Sequence, residues 1–342
     1  MPGFPLYDIL AAMDTTPRPY VSLVIPVFNE AENLEELLRE LIFSLEKTGH
    51  TFEIICIDDG STDSSWTVLK SLQQKDDRVK LIRLRKNFGQ TAALAAGFDH
   101  AKGEVIISLD ADLQNDPADI PVLIRKIEEG SDIVSGWRKS RKDRLISRRL
   151  PSVVANKLIS WLTRVKLHDY GCTLKAFRSE VIKSVKLYGE LHRFIPAIAS
   201  QLGVRITEVE VNHRPRRHGK SKYSILRFTT VILDMLTVKF LLSYSTRPLQ
   251  IFGLIGLGSA VTGIVISVWL SVQRLFFGQS LANRPLLLLG VILIVIGFQF
   301  IMLGLLAEIM VRAYHESSGK TIYVIREVID SERESRGPKT SP

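Results

Sequence analysis

The sequence predicts an α/β domain built on a mostly parallel sheet, joined to two membrane-spanning helices near the C-terminus, and three observations carry that expectation. Residues 21 to 136 alternate between short apolar, β-branched runs and stretches of helical periodicity. Two later stretches, Pro248–Gln273 and Pro285–Ala307, contain no charged residue, and each exceeds the ~20 residues that cross a bilayer. Acidic and polar clusters fall where the predicted strands end.

Taken in order, the strands are expected at Val21–Val27, Phe52–Ile57, Val79–Leu84, Glu104–Leu109 and Asp132–Ser135. Helices are expected between them at Ala31–Lys47, Ser64–Gln74, Thr91–Ala101 and Pro117–Glu128. Strict alternation implies a sheet covered by helices on both faces, and ligands of such sheets bind beyond the carboxyl ends of the strands. A basic segment follows, with Arg138, Lys139, Arg141, Lys142, Arg144, Arg148 and Arg149 against the single acid Asp143. Then come a helix over Pro151–Val165, a turn around His168–Thr173, a helix near Leu191–Leu202 and a strand Arg205–Val211. A second basic segment runs from His213 to Lys222.

Between Tyr223 and Tyr244 the polar residues Arg227, Thr230, Asp234 and Thr237 recur at three and four, one narrow stripe on a helix expected to lie in the membrane interface. The expected organisation is an N-terminal extension (1–18), a catalytic α/β domain (19–222), the amphipathic helix (223–246), two spans (247–312, about 248–276 and 285–310) and a tail (313–342). The tail holds a strand-like run at Thr321–Ile325. In the second span Gly290, Gly297 and Gly304 lie seven apart, a groove for close helix approach that serves either packing inside the hairpin or a homo-oligomer.

The 342 residues carry a net charge of +9 and are 46% hydrophobic. No recognition helix or stacking-aromatic pattern accompanies the charge, so nucleic acid is not an expected partner, whereas a lipid bilayer and anionic substrates are. Lys220, Lys222, Arg227, Lys239 and Arg247 precede the first span, against Arg274 and Arg284 in the hairpin. By the positive-inside rule both termini are expected in the cytoplasm. The stretch before Pro17 is too short and mixed for a secretory signal. Cys56, in a strand, and Cys172, in a polar turn, are expected to be reduced thiols.

The chemistry concentrates at three strand ends. Pro26-Val27-Phe28-Asn29-Glu30 closes the first and Asp58-Asp59-Gly60-Ser61-Thr62-Asp63 the second. Acidic groups there can accept hydrogen bonds from a uracil or guanine N–H and from ribose hydroxyls, with Gly60 permitting close approach of the ligand; Thr62 and Asp63 are better read as helix caps. At the third, Asp110-Ala111-Asp112-Leu113-Gln114 places hard oxygen donors on alternate residues of an extended segment. Crowded carboxylates repel unless a cation sits between them, so Mg²⁺ or Mn²⁺ is expected, with coordination positions open to a diphosphate.

The order of Val24–Glu30, Ile57–Asp63, Asn87-Phe88-Gly89-Gln90 and Leu109–Gln114 resembles the family 2 glycosyltransferases of GT-A fold. The segments Asp169-Tyr170-Gly171-Cys172-Thr173-Leu174-Lys175 and Arg216–Tyr223, followed by two spans, resemble in particular the polyprenyl-phosphate glycosyltransferases. These include bacterial undecaprenyl-phosphate glucosyltransferases, aminoarabinose transferases and, more distantly, dolichol-phosphate mannose synthases. The resemblance covers roughly Pro19 to Glu327. It implies inverting transfer of a sugar from a nucleotide sugar to undecaprenyl or another polyprenyl phosphate. It further implies that Glu30, Asp58 and Asp59 contact the nucleoside, that Asp110 contacts the ribose–diphosphate region, and that Asp112 with Gln114 holds the metal. Pro26 and Ala111 belong to the same nucleotide-sugar motifs, and Arg216 is implied to contact phosphate.

An ionised acceptor phosphate needs no strong base, so catalysis must come mainly from alignment and charge compensation. The expected cations are Arg138, Arg148, Arg216 and Lys220. Asp112, Arg216 and Asp169 form the expected catalytic set, Asp169 either orienting the acceptor phosphate or hydrogen-bonding a sugar hydroxyl, against the alternative that it caps its turn. The preferred substrates are UDP-glucose and undecaprenyl phosphate at the inner membrane of a bacterium, with a UDP-aminoarabinose derivative or GDP-mannose as alternative donors. A processive polysaccharide synthase is disfavoured because no tryptophan follows an arginine, and a non-catalytic membrane adaptor because the acidic clusters are intact.

Overall fold

The computed structural model describes residues 18–139, 160, 165–187, 191–215, 248–278, 285–316 and 321–330. The chain divides into two compact units, residues 1–235 with 321–342, and residues 236–320. The first is built on one sheet of eight strands: β1 (Val21–Val27), β2 (Phe52–Asp58), β3 (Val79–Leu84), β4 (Val105–Ser108), β5 (Ile133–Trp137), β6 (Lys175–Arg178), β7 (Ile206–Glu210) and β8 (Ile325–Ile329). Their order is β7-β5-β6-β4-β1-β2-β3-β8. β1 pairs in parallel with β2 and β4, β2 with β3, and β5 with β7. β6 and β8 run against their neighbours.

Alternation along the strands decides which helix covers which face. Leu23, Ile25, Ile54 and Cys56 pack with α1 (Leu34–Glu46), α2 (Ser65–Gln73) and the helix Ile120–Glu128. Val24, Ile55 and Ile57 pack with α3 (Gln90–His100) and with the short helices Ser179–Ser184 and Ile195–Ala199. The expected mostly parallel sheet covered on both faces therefore forms. The helix expected near Leu191–Leu202 is broken into 3₁₀, α and 3₁₀ pieces.

Pro26 is tolerated in a central strand because β1–β4 pairing ends at Val24 and Ser108, so its missing N–H leaves no gap on that side. Helix α3 lies close to the sheet because it presents Ala92, Ala93, Ala96 and Gly97: a Cβ added at Gly97 would fall 2.3 Å from Val24 Cγ1. Cys172, just before β6, departs from expectation in being fully buried, packed where a Cβ on Gly136 would meet its sulfur at 2.9 Å. Both thiols are free, and burial pushes Cys56 up to about 12 and Cys172 upward too, so neither is a thiolate at neutral pH.

The second unit contains two long helices, Pro248–Phe277 and Pro285–Glu316. Only 17% and 11% of their most apolar stretches are buried, which separates them from core helices of a soluble fold. Their seam is made by glycines: a Cβ on Gly256 would lie 2.5 Å from Gly297 O, and one on Gly263 2.5 Å from Gly290 O. The groove at Gly290 and Gly297 is thus filled from within the hairpin, which removes it as support for a homo-oligomer. After the second helix the chain returns to the sheet, where β8 pairs with the edge strand β3 and Tyr323 donates to Asp99 Oδ2 at 2.8 Å. This strand lies four residues beyond the expected start at Thr321. The amphipathic helix expected at 223–246 and, apart from Ser160 and Val165, the helix expected at 151–165 lie outside the described residues.

Replacing Gly97 with valine should push α3 off the sheet and cost about 1–3 kcal/mol, read as a lower melting temperature of the detergent-solubilised protein.

Candidate active site

A cavity opens at the carboxyl ends of the parallel strands, lined among others by Gln90, Asp110, Asp112, Gln114, Arg138, Thr173, Lys175 and His192. Asp110 and Asp112 follow β4, and Arg138 follows β5, as parallel strands deliver them. Thr173 and Lys175 arrive differently: because β6 is antiparallel, its first residue lies level with Ser108 of β4 and Ser135 of β5. The segment after β4 is not extended as expected. Leu113 takes a left-handed conformation (φ 59°), turning the chain so that Gln114 N–H donates to Asp112 Oδ1 at 3.2 Å. Asp112 and Gln114 nonetheless line the same cavity.

Asp110 accepts from Gln90 Nε2 at 2.7 Å. Burial, reinforced by the Asp112 charge, pushes its carboxyl up to about 7, with Thr173, Arg138 and Lys175 opposing. Carboxylates crowded in this way are relieved by a cation between them. Two carboxylates and an amide oxygen on one cavity fit Mg²⁺ or Mn²⁺, hard cations that retain positions for other oxygen ligands. Among the described residues no group of three or more His, Cys, Asp or Glu could hold a metal, so the protein would supply a partial shell.

The nucleoside candidates do more framing than their sequence suggests. Asp58 is fully buried, accepting from Ser61 N–H at 3.0 Å and facing Arg83 Nε at 3.3 Å. Asp59 accepts from Phe88 N–H at 2.7 Å and Gly89 N–H at 2.9 Å, which holds the Asn87–Gln90 turn against the end of β2. Burial raises Asp59 while those two bonds oppose the shift. Gly60 is required by a neighbouring backbone: a Cβ there would fall 2.5 Å from Lys86 C, and its φ is +70°. Glu30 accepts from Asn33 Nδ2 at 2.6 Å. Asn29, left-handed at φ 56°, accepts from Thr62 N–H at 2.8 Å and so staples the ends of β1 and β2. The N-cap of α2 is Ser64 rather than Thr62 or Asp63; Asp63, one residue earlier, accepts from Ser65 N–H at 2.9 Å, and the Thr62 hydroxyl donates to Asn29 Oδ1. Pro26 is partly exposed at the end of β1, and Ala111 is buried between the two acids.

Asp169 is a counter-ion before it is anything else. Its Oδ2 accepts from Arg138 Nε at 2.7 Å, and its Oδ1 accepts from Arg138 Nη2 and Gly171 N–H, each at 3.0 Å. It does not line the cavity, whereas Arg138 does. One buried bidentate pair thus ties Arg138 to the Asp169–Gly171 turn. Arg148, Arg216 and Lys220 lie outside the described residues.

Sequence reading passes over Lys175, His192, Gln90 and Thr173. Gln90, Thr173 and Lys175 stand inside the quoted motifs, where spacing does not show that they converge. His192, whose Nδ1 lies 2.8 Å from Thr91 Oγ1, carries no sequence signal. Arg214, counted with the second basic segment, is committed to structure. It donates to Glu40 Oε2 at 2.6 Å and Asp116 Oδ1 at 2.7 Å, and its backbone N–H donates to Gln114 O at 2.8 Å. With the Asn115–His213 bridge, it ties the start of that segment to the metal-candidate turn.

A family model described as glycosyl transferase family 2 matches residues 22–186. The chain is 41% identical over 319 residues to the dodecaprenyl-phosphate galacturonate synthase of Rhizobium johnstonii, covering 92% of this chain and 94% of that protein. It is 40% identical over 324 residues to the undecaprenyl-phosphate 4-deoxy-4-formamido-L-arabinose transferase of Salmonella paratyphi B, covering 94% and 97%. Among solved structures, glucosyl-3-phosphoglycerate synthase from Mycobacterium tuberculosis in complex with UDP is similar at TM-score 0.52 and 19% identity, over 70% of this chain and 86% of that one. Its complex with Mn²⁺ and UDP-glucose gives 0.51 and 18%, over 70% and 84%. At that identity the likeness is one of fold.

Burial would raise Asp116, but the Ala118 N–H, the Asn212 amide and Arg214 outweigh it and hold the carboxyl below its ordinary value. The stability it contributes is present above the usual carboxylate range and is lost as pH falls through that lowered value. Asp116→Asn should therefore cost about 1–2 kcal/mol at pH 7, and the gap from wild type should close on acidification below about pH 4, measured by thermal melting.

Proposed function

The chain belongs to glycosyl transferase family 2, and from that membership we propose that it transfers one sugar from a nucleotide sugar to a polyprenyl phosphate, inverting the anomeric carbon. One observation carries the reading. Two relatives, each alike over more than nine-tenths of this chain, are named for different sugars but both for a polyprenyl phosphate. The apolar hairpin suits such an acceptor, because a long prenyl chain stays in the bilayer. β8 joins the sheet after the second helix, which supports a topology with both flanks of the hairpin on the side of the sheet domain, here proposed to be the cytoplasmic face of a bacterial inner membrane.

In the transfer an oxygen of the acceptor phosphate attacks the anomeric carbon from the face opposite the departing diphosphate. The bond from that carbon to the diphosphate oxygen breaks, and the nucleoside diphosphate keeps the electron pair. The attacking oxygen is already ionised, so no strong base is required. Asp169, saturated by Arg138 and Gly171, suits a positioning role: it holds the Arg138 guanidinium at the cavity wall to receive phosphate oxygens. Asp110, Asp112 and Gln114 would hold Mg²⁺ or Mn²⁺, which when bound neutralises charge on the leaving diphosphate. Pro26, Glu30 and Ala111 flank the nucleoside side, whose walls Asp58 and Asp59 fix. Arg148, Arg216 and Lys220 remain candidate phosphate contacts from the two basic segments.

For the donor we favour a UDP-sugar. Glucose is the expectation from sequence, and the relatives' names set galacturonate and 4-deoxy-4-formamido-L-arabinose beside it. Purified protein with undecaprenyl phosphate, Mg²⁺ and a panel of UDP- and GDP-sugars should yield one lipid-linked product by mass spectrometry. Failure with every donor would overturn the reading. Asp112→Ala should slow transfer at least about 100-fold, and a chelator should abolish it until Mg²⁺ or Mn²⁺ is restored.

A further inference from the structure

Lys175 is a buried cation that the transfer as described does not use. It is 3% exposed, lines the cavity with Asp110, Asp112 and Arg138, and opens the one interior strand that runs against its neighbours. Its ammonium donates to the backbone carbonyls of Cys172 and, at 3.4 Å, Tyr170. Two of its three donors are thereby used, yet among the described residues no carboxylate lies within the 4.0 Å of an ion pair. Arg138, by contrast, has its charge matched by Asp169 at 2.7 Å.

Tying a turn through two carbonyls requires N–H donors, not a charge; burial disfavours the ammonium's charge, Arg138 opposes it as well, and Asp169 and Asp110 favour it only from beyond contact distance. The arrangement makes sense if the counter-charge arrives with a ligand. We propose that Lys175 binds a phosphate oxygen of a substrate in this cavity, completing the ammonium's third hydrogen bond. The proposal rests on the transferase reading, which puts two phosphate-bearing ligands at the site: the diphosphate of the donor and the phosphate of the lipid acceptor.

Binding to the full-length protein in detergent, measured by calorimetry, separates the two sources without relying on turnover. One titration uses UDP with Mg²⁺, the other farnesyl phosphate, and each is run on wild type, Lys175→Gln and Lys175→Arg. Loss of one charge-assisted hydrogen bond corresponds to roughly a 10- to 100-fold weaker Kd in Lys175→Gln. Weakening confined to UDP assigns Lys175 to the donor diphosphate, and weakening confined to farnesyl phosphate assigns it to the acceptor.

Lys175→Arg, which keeps the charge, should retain most of the affinity that Lys175→Gln loses. Both Kd values within twofold of wild type in a Lys175→Gln protein of unchanged melting temperature would overturn the proposal. An equal loss in Lys175→Arg and Lys175→Gln would also overturn it, assigning the residue to the turn alone. Wild-type protein that binds UDP through Lys175 but forms no lipid product would sink the transferase reading and leave the anion site standing.

Discussion

One strand direction governs the site. β6 runs antiparallel between β4 and β5, so its beginning meets their ends. A parallel strand in that slot would bring its last residues to the cavity and leave Thr173 and Lys175 at the far edge of the sheet. The turn before β6, with Asp169, Gly171 and Cys172, is carried to the same place. Arg138, leaving β5, then finds Asp169 within hydrogen-bond distance and lines the cavity together with Asp110 and Asp112. A sheet of parallel strands alone collects acids at the ends of β1, β2 and β4. The reversed strand adds a lysine and the counter-ion that locks an arginine.

Most charges around the site are spent on holding it. Asp59 fixes the turn that carries Gln90, Asp58 faces Arg83, and Arg214 clasps Glu40 and Asp116 beneath the metal-candidate turn. Buried carboxylates with two or three donors are rigid, and rigidity is what a reaction between two anions needs, since their alignment opposes their repulsion. Charges of both signs, Asp110 and Asp112 with Arg138 and Lys175, face the cavity.

The C-terminal apolar helices form a compact unit of their own. Two long apolar helices pack through paired glycines into a self-contained hairpin, and the chain then rejoins the sheet at its β3 edge. That last strand covers an otherwise open edge of the sheet.

The strands, the two apolar helices and the three acidic strand ends were legible in the sequence because each is written in local periodicity: alternation, helical spacing, or an uncharged run longer than a bilayer is thick. Asp110 and Asp112 belonged to that legible part. The roles of Asp58, Asp59, Gly60 and Asp169 were not, because the same carboxylate at a strand end serves ligand or backbone according to which N–H comes near, and Phe88, Gly89, Ser61 and Arg138 approach only in three dimensions. The gathering of Gln90, Thr173, Lys175 and His192 at one cavity was equally invisible. It depends on strand order and on the reversal of β6, and neither leaves a trace in residue spacing. The sequence by itself determined the fold class, the two apolar helices, the acidic cluster after β4 and the candidacy of Arg138; the tertiary structure alone brought in Lys175 and paired Arg138 with Asp169, because pairing of cations with anions is fixed by which segments the sheet brings together.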